Sequence, residues 1–302
     1  MRILVVGGSG LVGANVAAVL RERGHQVTIL ARTPADGVEH ALDTTTATVD
    51  ELRTVLAGHD GVVAATRADE ARPLRKPIRP VLHAEMVEPV ERLFAAARAE
   101  GLTRGALMGS YYTYFARTRP EWHLPERHEY IRGRVEQAAG VRAAAGPGLP
   151  VAVLELPFVF GRAGDRLPNW APALGSWARS RSPLVAPRGG TAAVSARSVG
   201  LTTAEALEQA DGADLPLADE NLTWAEMFAR IAAAVGRPRA VRRLPAPLLR
   251  SSLKLGGWSQ AAVGKESGLF PGRLAGVLLA ELFITPTTGR PLGTAVEETF
   301  AG

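Results

Sequence analysis

The first fourteen residues constrain the chain most. Met1–Val6 (MRILVV) is a short apolar run suited to a buried strand, and Gly7-Gly8-Ser9-Gly10-Leu11-Val12-Gly13 follows without a break. Leu11, Val12, Val16, Val19 and Leu20 then recur at helical spacing up to Gly24. The pattern is strand, tight turn, helix, with glycines at 7, 10 and 13. Gly7 permits the sharp turn, Gly10 lets the backbone approach a pyrophosphate, and Gly13 lets helix and strand pack closely. The free N–H groups and positive dipole end of the helix, from Leu11 and Val12 onward, are suited to phosphate. A glycine triplet alone is weak; one that follows a strand and opens a helix implies a dinucleotide site.

Strand and helix go on alternating. Strands are predicted at Gln26–Leu30, Val38–Leu42, Gly61–Ala65, Arg104–Met108 and Val151–Leu156, the last closed by Pro157. Helices are predicted at Val49–Leu56, Val81–Ala99 and Glu129–Ala145, with a charged, Pro-rich surface loop at 66–80 and a long aromatic loop at 109–128. This rhythm implies an α/β fold, a Rossmann-type doubly wound parallel sheet. Beyond Gly161 it breaks: 161–190 is rich in Pro, Gly, Trp and Arg, and further helices are expected at 198–209, 223–236 and 247–256. The expected organisation is a nucleotide-binding domain over 1–160 and a smaller, irregular substrate lobe over 161–302, with returns to the main sheet near 191–210.

With 302 residues and 46% hydrophobic content, one large α/β domain with a small lobe is the expectation. No apolar run spans a membrane, and residues 1–20 lack the basic start of a signal peptide. Zero cysteines excludes disulfides, thiolate metal sites and a cysteine nucleophile. A formal charge of +5 is mild for this length and reads as a solvated surface with anion-binding arginines rather than a nucleic-acid face. Lys76, Lys254 and Lys265 are the chain's lysines; nearly all positive charge is Arg. The expectation is a cytoplasmic monomer or homodimer acting on a small molecule, with no nucleic-acid or membrane partner. His123 and His128 lack the company a metal site requires, so no metal is expected.

In a dinucleotide fold a carboxylate ending the second strand holds the 2′-hydroxyl of NAD, whereas an Arg there suits the 2′-phosphate of NADP. That end reads Leu30-Ala31-Arg32-Thr33, with no acid until Asp36. Arg32 offers a fork of donors matched to phosphate, and Thr33 and Ser9 add hydroxyls. The expected cofactor is NADP(H).

Taken together, the glycines at 7, 10 and 13, Asp43, His59-Asp60-Gly61-Val62-Val63, Gly109-Ser110, Pro157-Phe158-Val159-Phe160-Gly161, Asn221-Leu222-Thr223-Trp224-Ala225-Glu226 and Arg290-Pro291-Leu292-Gly293 resemble an extended, atypical short-chain dehydrogenase/reductase of the NAD(P)-dependent epimerase/dehydratase type, over nearly the whole chain. The resemblance implies that Asp43 contacts adenine, that the backbone of Ala64, Ala65 and Thr66 lines the cofactor, and that the Pro157–Val159 segment holds the carboxamide. Asp43 also reads as a turn or helix-cap carboxylate before Thr44-Thr45-Thr46, and Pro157 as a strand terminator. Family members use Ser, Tyr and a Lys four residues after the Tyr. The match here is Ser110, Tyr130 and Arg134, so the Lys is an Arg. A permanent cation beside a phenol favours the phenolate and can donate to ribose hydroxyls, but it cannot relay a proton.

The loop 111–125 and segment 158–177 carry Tyr111, Tyr112, Tyr114, Phe115, Trp122, Phe158, Phe160, Trp170 and Trp177. If they face the nicotinamide they suit a bulky, flat or apolar substrate; packing of the lobe's own core is the reading for about half of them. Three functions are compatible with these residues. The first is an NADPH-dependent reductase of a ketone on an aromatic or polyketide-like molecule. The second is a nucleotide-sugar epimerase or dehydratase with Arg162, Arg166, Arg179, Arg181 and Arg188 on a diphosphate. The third is a catalytically weak NADP-sensing binding protein.

Overall fold

The computed structural model describes residues 1–66 and 72–301. Seven parallel strands form the main sheet, in the order Asp214–Pro216, Val151–Glu155, Arg104–Met108, Gly61–Ala64, Arg2–Val6, Gln26–Ala31, His40–Ala41. The strand order reverses at Arg2–Val6: the chain goes first to one side and then crosses to Gly61–Ala64 on the other. Ligand crevices of open α/β sheets lie at such a switch point, beyond the carboxyl ends of the strands. Gly7 occupies that position.

The core is built on both faces of this sheet. Leu4, Val6, Val62, Leu107 and Val153 face a layer of Leu52, Leu56, Leu93 and Phe94, while Ile3, Val5, Val63, Ala106 and Leu154 face Val16, Leu20, Val199 and Leu207. Alternate residues of each strand thus go to opposite helical layers, and the strands read as continuous apolar runs because both faces are covered. Helix Ala196–Gln209 lies against helix Leu11–Glu22 in the second layer. The chain then adds Asp214–Pro216 to the sheet edge. A second sheet runs Glu220–Thr223, Gly190–Ser195, Glu281–Leu282, with Phe158–Phe160 also pairing Gly190–Ser195.

Five sequence expectations change. The stretch 109–128 is largely helical rather than a loop: Tyr111–Thr118 is a helix with Ser110 as its N-cap, followed by short turns at Pro120–Trp122 and Leu124–Arg127. The segment 161–190 holds helix Ala171–Arg179 and strand Leu184–Ala186. The helix expected at 81–99 is broken into Arg79–Leu82, a π turn His83–Val87 and Glu88–Ala99; Pro89 has no N–H to continue the ladder, and the wider turn accommodates this. The helix at 247–256 runs on as Ala246–Ala262 through Gly256 and Gly257. Of the surface loop expected at 66–80, residues 67–71 lie outside the described residues; Leu74–Arg75 pairs with Lys265–Glu266.

Candidate active site

The parallel sheet gathers the cofactor candidates at one edge. Gly7 follows the first strand, Arg32 and Thr33 the second, Ala65 and Thr66 the strand Gly61–Ala64, Gly109 and Ser110 the strand Arg104–Met108, and Leu156 and Pro157 the strand Val151–Glu155. Backbone bonds lock these ends together: Gly7 N–H donates to Leu30 O at 2.8 Å, Ala65 N–H to Val6 O at 2.8 Å, and Tyr111 N–H to Leu156 O at 3.0 Å.

The three glycines are required for different reasons. Gly7 has φ +79°, and a Cβ there would stand 2.7 Å from Ala65 O. A Cβ on Gly13 would stand 2.3 Å from Gly7 O, so the turn itself forbids it. A Cβ on Gly10 would meet Gly7 O at an ordinary 3.4 Å. The protein therefore leaves room above Gly10, and that room adjoins the start of helix Leu11–Glu22. No side chain caps that start, no acid lies in its first turn, and its first bond is Ala14 N–H to Gly10 O at 2.9 Å. Unpaired N–H groups over an open glycine fit a pyrophosphate.

Arg32 and Thr33 are exposed beyond the second strand. Asp43 takes the turn role: its carboxylate accepts from the Thr45 hydroxyl at 2.7 Å and the Thr45 N–H at 3.0 Å. These bonds, and then the Arg32 charge, hold it below the usual carboxylate range. Arg32 and Asp43 thus sit within electrostatic reach of one another at the edge expected to meet the adenosine.

Ser110, Tyr130 and Arg134 are all buried. Ser110 Oγ accepts from Tyr112 N–H at 3.4 Å as the cap of its helix. Helix Glu129–Ala145 places Tyr130 and Arg134 one turn apart, and Arg134 Nε donates to Tyr130 Oη at 3.0 Å. Arg134 Nη1 also donates to Met108 O at 3.3 Å and Gln137 Oε1 at 2.8 Å, while Gln137 Nε2 donates to Met86 O at 2.7 Å. The guanidinium is thereby tied to the last residue of the strand that leads to Ser110, and it carries the tyrosine with it. Arg134 is therefore a fixed interior cation rather than a surface arginine. Gln137 is not among the residues the sequence singles out; its place on the same helix face, at the i, i+4, i+7 spacing from Tyr130, is the signal that finds it.

The aromatic residues form two packed groups. Phe115 stacks on Trp122 at 5.8 Å, and Tyr111 and Phe115 are buried with Tyr130 and Ile131. Phe158, Phe160, Trp170 and Phe300 pack together in the other lobe, and Trp177 meets Phe228 at 5.2 Å. Core packing thus takes up much of the expected aromatic wall, while Tyr112 stays half-buried with its ring 6.4 Å from that of Tyr130. Glu155, which the sequence does not single out either, lies fully buried, shares the Thr113 hydroxyl with Ser110 O, and is gripped by Arg117 through two 3.0 Å bonds.

His128, two residues before Tyr130, is buried with no partner for Nδ1 among the described residues. Burial, then the charges of Arg273 and Arg127, push its pKa down to about 4. The folded protein therefore holds this ring neutral where the unfolded chain, with an ordinary pKa of about 6.5, takes up a proton. Its contribution is complete above that unfolded value and is lost as pH falls toward the folded one. Between pH 7 and pH 4.5 the wild type should lose about 2–3 kcal/mol more than His128→Asn, as read from urea unfolding. Equal losses in both proteins would show that the ring titrates normally.

Among the described residues no cluster of three or more His, Asp or Glu could hold a metal, and no helix is long and apolar enough to cross a membrane.

Residues 7–150 match the model of a family described as NAD(P)H-binding. No curated protein matches the sequence. The fold is similar to that of gox2253 (TM-score 0.79, 20% identity, covering 99% of this chain and 96% of that one). It is similar also to a nucleoside-diphosphate-sugar epimerase, PA4631, from Pseudomonas aeruginosa (0.68, 20%, 99% and 97%). The human epimerase family protein SDR39U1, solved with NADPH, aligns as well (0.67, 19%, 99% and 98%). Residues 7–150 thus match an NAD(P)H-binding family, and the chain as a whole has the fold of the short-chain dehydrogenase/reductases and epimerases.

Proposed function

We propose that the protein is an NADPH-dependent carbonyl reductase acting on a ketone of a bulky, aromatic or polyketide-like molecule, with Ser110, Tyr130 and Arg134 as its site. The observation that carries this reading is the bond from Arg134 Nε to Tyr130 Oη at 3.0 Å, anchored to Met108 O. Arginine can only donate, so it occupies a lone pair of the phenol and leaves the phenolic proton to point elsewhere. When bound, the reduced nicotinamide supplies the hydride. Ser110 accepts at its helix cap, which leaves its own proton to hold the carbonyl oxygen. As the carbonyl π pair moves onto that oxygen, Tyr130 gives up its proton to it, and the resulting phenolate is stabilised by the adjacent guanidinium. Solvent then reprotonates Tyr130. Oxidation of NADPH with a panel of bulky aryl ketones tests the reading; turnover with none of them, despite saturable NADPH binding, would sink it.

Cofactor choice rests on Arg32, which lies exposed past a strand end that carries no acid. NADPH should bind about ten- to a hundredfold more tightly than NADH, the worth of a charge-assisted bond, and Arg32→Ala should close most of that gap. Equal affinities in the unmutated protein, by fluorescence titration, would refute NADP selection.

One observation favours the sensor reading: Arg134 already serves Tyr130, Met108 and Gln137, which leaves it less to offer a ribose. The epimerase reading loses a member of its arginine set, since Arg162 is bound to the carbonyls of Gly164 and Ala301.

A further inference from the structure

Helix Ala246–Ala262 and helix Pro271–Leu279 cross where Gly257 meets Gly272; a Cβ on Gly257 would stand 3.1 Å from Gly272 N. Leu249 and Gly257 are buried on that side. The other side is apolar and open. Leu248, Leu255, Trp258 and, just past the helix end, Val263 are 58, 66, 70 and 67% exposed, more than any other large hydrophobic side chain among the described residues. At helical spacing Leu248, Leu255 and Trp258 fall within an arc of about 80°.

Arg250 and Lys254 border this stripe along one edge, about 80° and 40° from Trp258 around the helix. With Arg127 and Arg273 they line a cavity of about 530 Å³ between the two helices. None of the four has a carboxylate partner among the described residues. Residues 241–280 contain six Lys and Arg but one acid, Glu266, so the chain's formal excess of +5 is concentrated in these forty residues. Glu266 is turned away, toward Lys76 and the Ile78 N–H.

We propose that this helical hairpin docks on an anionic phospholipid surface, with Leu248, Leu255 and Trp258 entering the headgroup–acyl boundary and Arg127, Arg250, Lys254 and Arg273 holding lipid phosphates. Charge complementarity selects the occupant. An apolar stripe bordered by unpaired cations, on a helix without acids, is the pattern of a helix lying in a membrane interface, where Trp is favoured. A second copy of the chain packed on this face would set its cation rows against themselves. The association is peripheral, since no described helix is long and apolar enough to span.

Sedimentation of the full chain with vesicles tests this. Vesicles with about one third phosphatidylserine should bind it at least about tenfold more strongly than pure phosphatidylcholine, because each cation near such a surface is worth about fivefold. High salt should abolish the difference. Arg250→Glu/Lys254→Glu and, separately, Leu255→Ser/Trp258→Ser should each lower binding by more than about tenfold, with unchanged circular dichroism melts because all four side chains are exposed. The proposal is overturned by no sedimentation on either vesicle, by equal binding to both, or by binding that survives both double variants. A dimer in solution that Leu255→Ser/Trp258→Ser dissolves, without vesicle binding, would assign the face to a second copy instead.

Discussion

Tyr130→Phe is expected to lower turnover by about 10²–10⁴-fold, the usual worth of a positioned general acid, while NADPH affinity stays close to that of the unmutated protein. Phe keeps the ring in its place: edge-on to Tyr112 at 6.4 Å and packed with Tyr111, Phe115 and Ile131. What disappears is the hydroxyl. Its loss also removes the acceptor for Arg134 Nε, a donor on a buried side chain, so the variant should be less stable by about 1–3 kcal/mol. Turnover must therefore be read below the variant's own melting temperature, beside a cofactor titration. A variant that binds NADPH and keeps near-full turnover would remove Tyr130 as the acid and leave Ser110, or the substrate itself, as the proton source. The paired change Ser110→Ala separates those two cases, because the cap it loses involves a long 3.4 Å bond whose removal costs little fold.

The sheet was readable because its determinants are local. Short apolar runs closed by glycines dictate strands buried on both faces, and the turn at Gly7–Gly13 dictates where the strand order reverses. The helix at Tyr111–Thr118 is not, because its apolar residues are large aromatics in a nearly continuous run, which hides a helical stripe, and because a serine after a strand serves equally as a site hydroxyl and as the helix cap that Ser110 forms. The helix predicted over 247–256 ends at Gly256, yet Gly257 is needed inside the helix by a close crossing with Gly272 that lies fifteen residues ahead in the sequence. The approach of Arg127 to the basic stretch 241–280 leaves no mark on the sequence, because 146 positions separate it from Arg273, whose Nη1 donates to Arg127 O at 3.4 Å. Tyr130 and Arg134 were legible as a pair by helical spacing; their tether to Met108 O was not, since a backbone acceptor leaves no mark on a sequence.

Arg117→Ala is expected to cost about 3 kcal/mol of stability, the lower end of the loss when a buried ion pair is deprived of one partner. The pair is asymmetric. Glu155 has no exposed surface, whereas the Arg117 side chain is 48% exposed and is shared with Asp214 at 3.1 Å. Removing the arginine leaves the carboxylate with the Thr113 hydroxyl, 2.6 Å away, as its remaining side-chain partner. Removing the charge as well, in Arg117→Ala/Glu155→Gln, should recover a large part of the loss, because a neutral amide is far less costly to bury unpaired than an ion. Urea unfolding of the two variants measures the difference directly; a loss under about 1 kcal/mol for Arg117→Ala would reduce the contact to an ordinary surface ion pair. The consequence reaches the site. Glu155 is followed by Leu156, whose carbonyl accepts from Tyr111 N–H at 3.0 Å, and then by Pro157; the segments proposed to hold the carbonyl oxygen and the carboxamide are thus fastened at one point. Arg117→Ala should accordingly weaken NADPH binding as well as folding, although Arg117 lies outside the cofactor set, and Arg117→Ala/Glu155→Gln should restore both together.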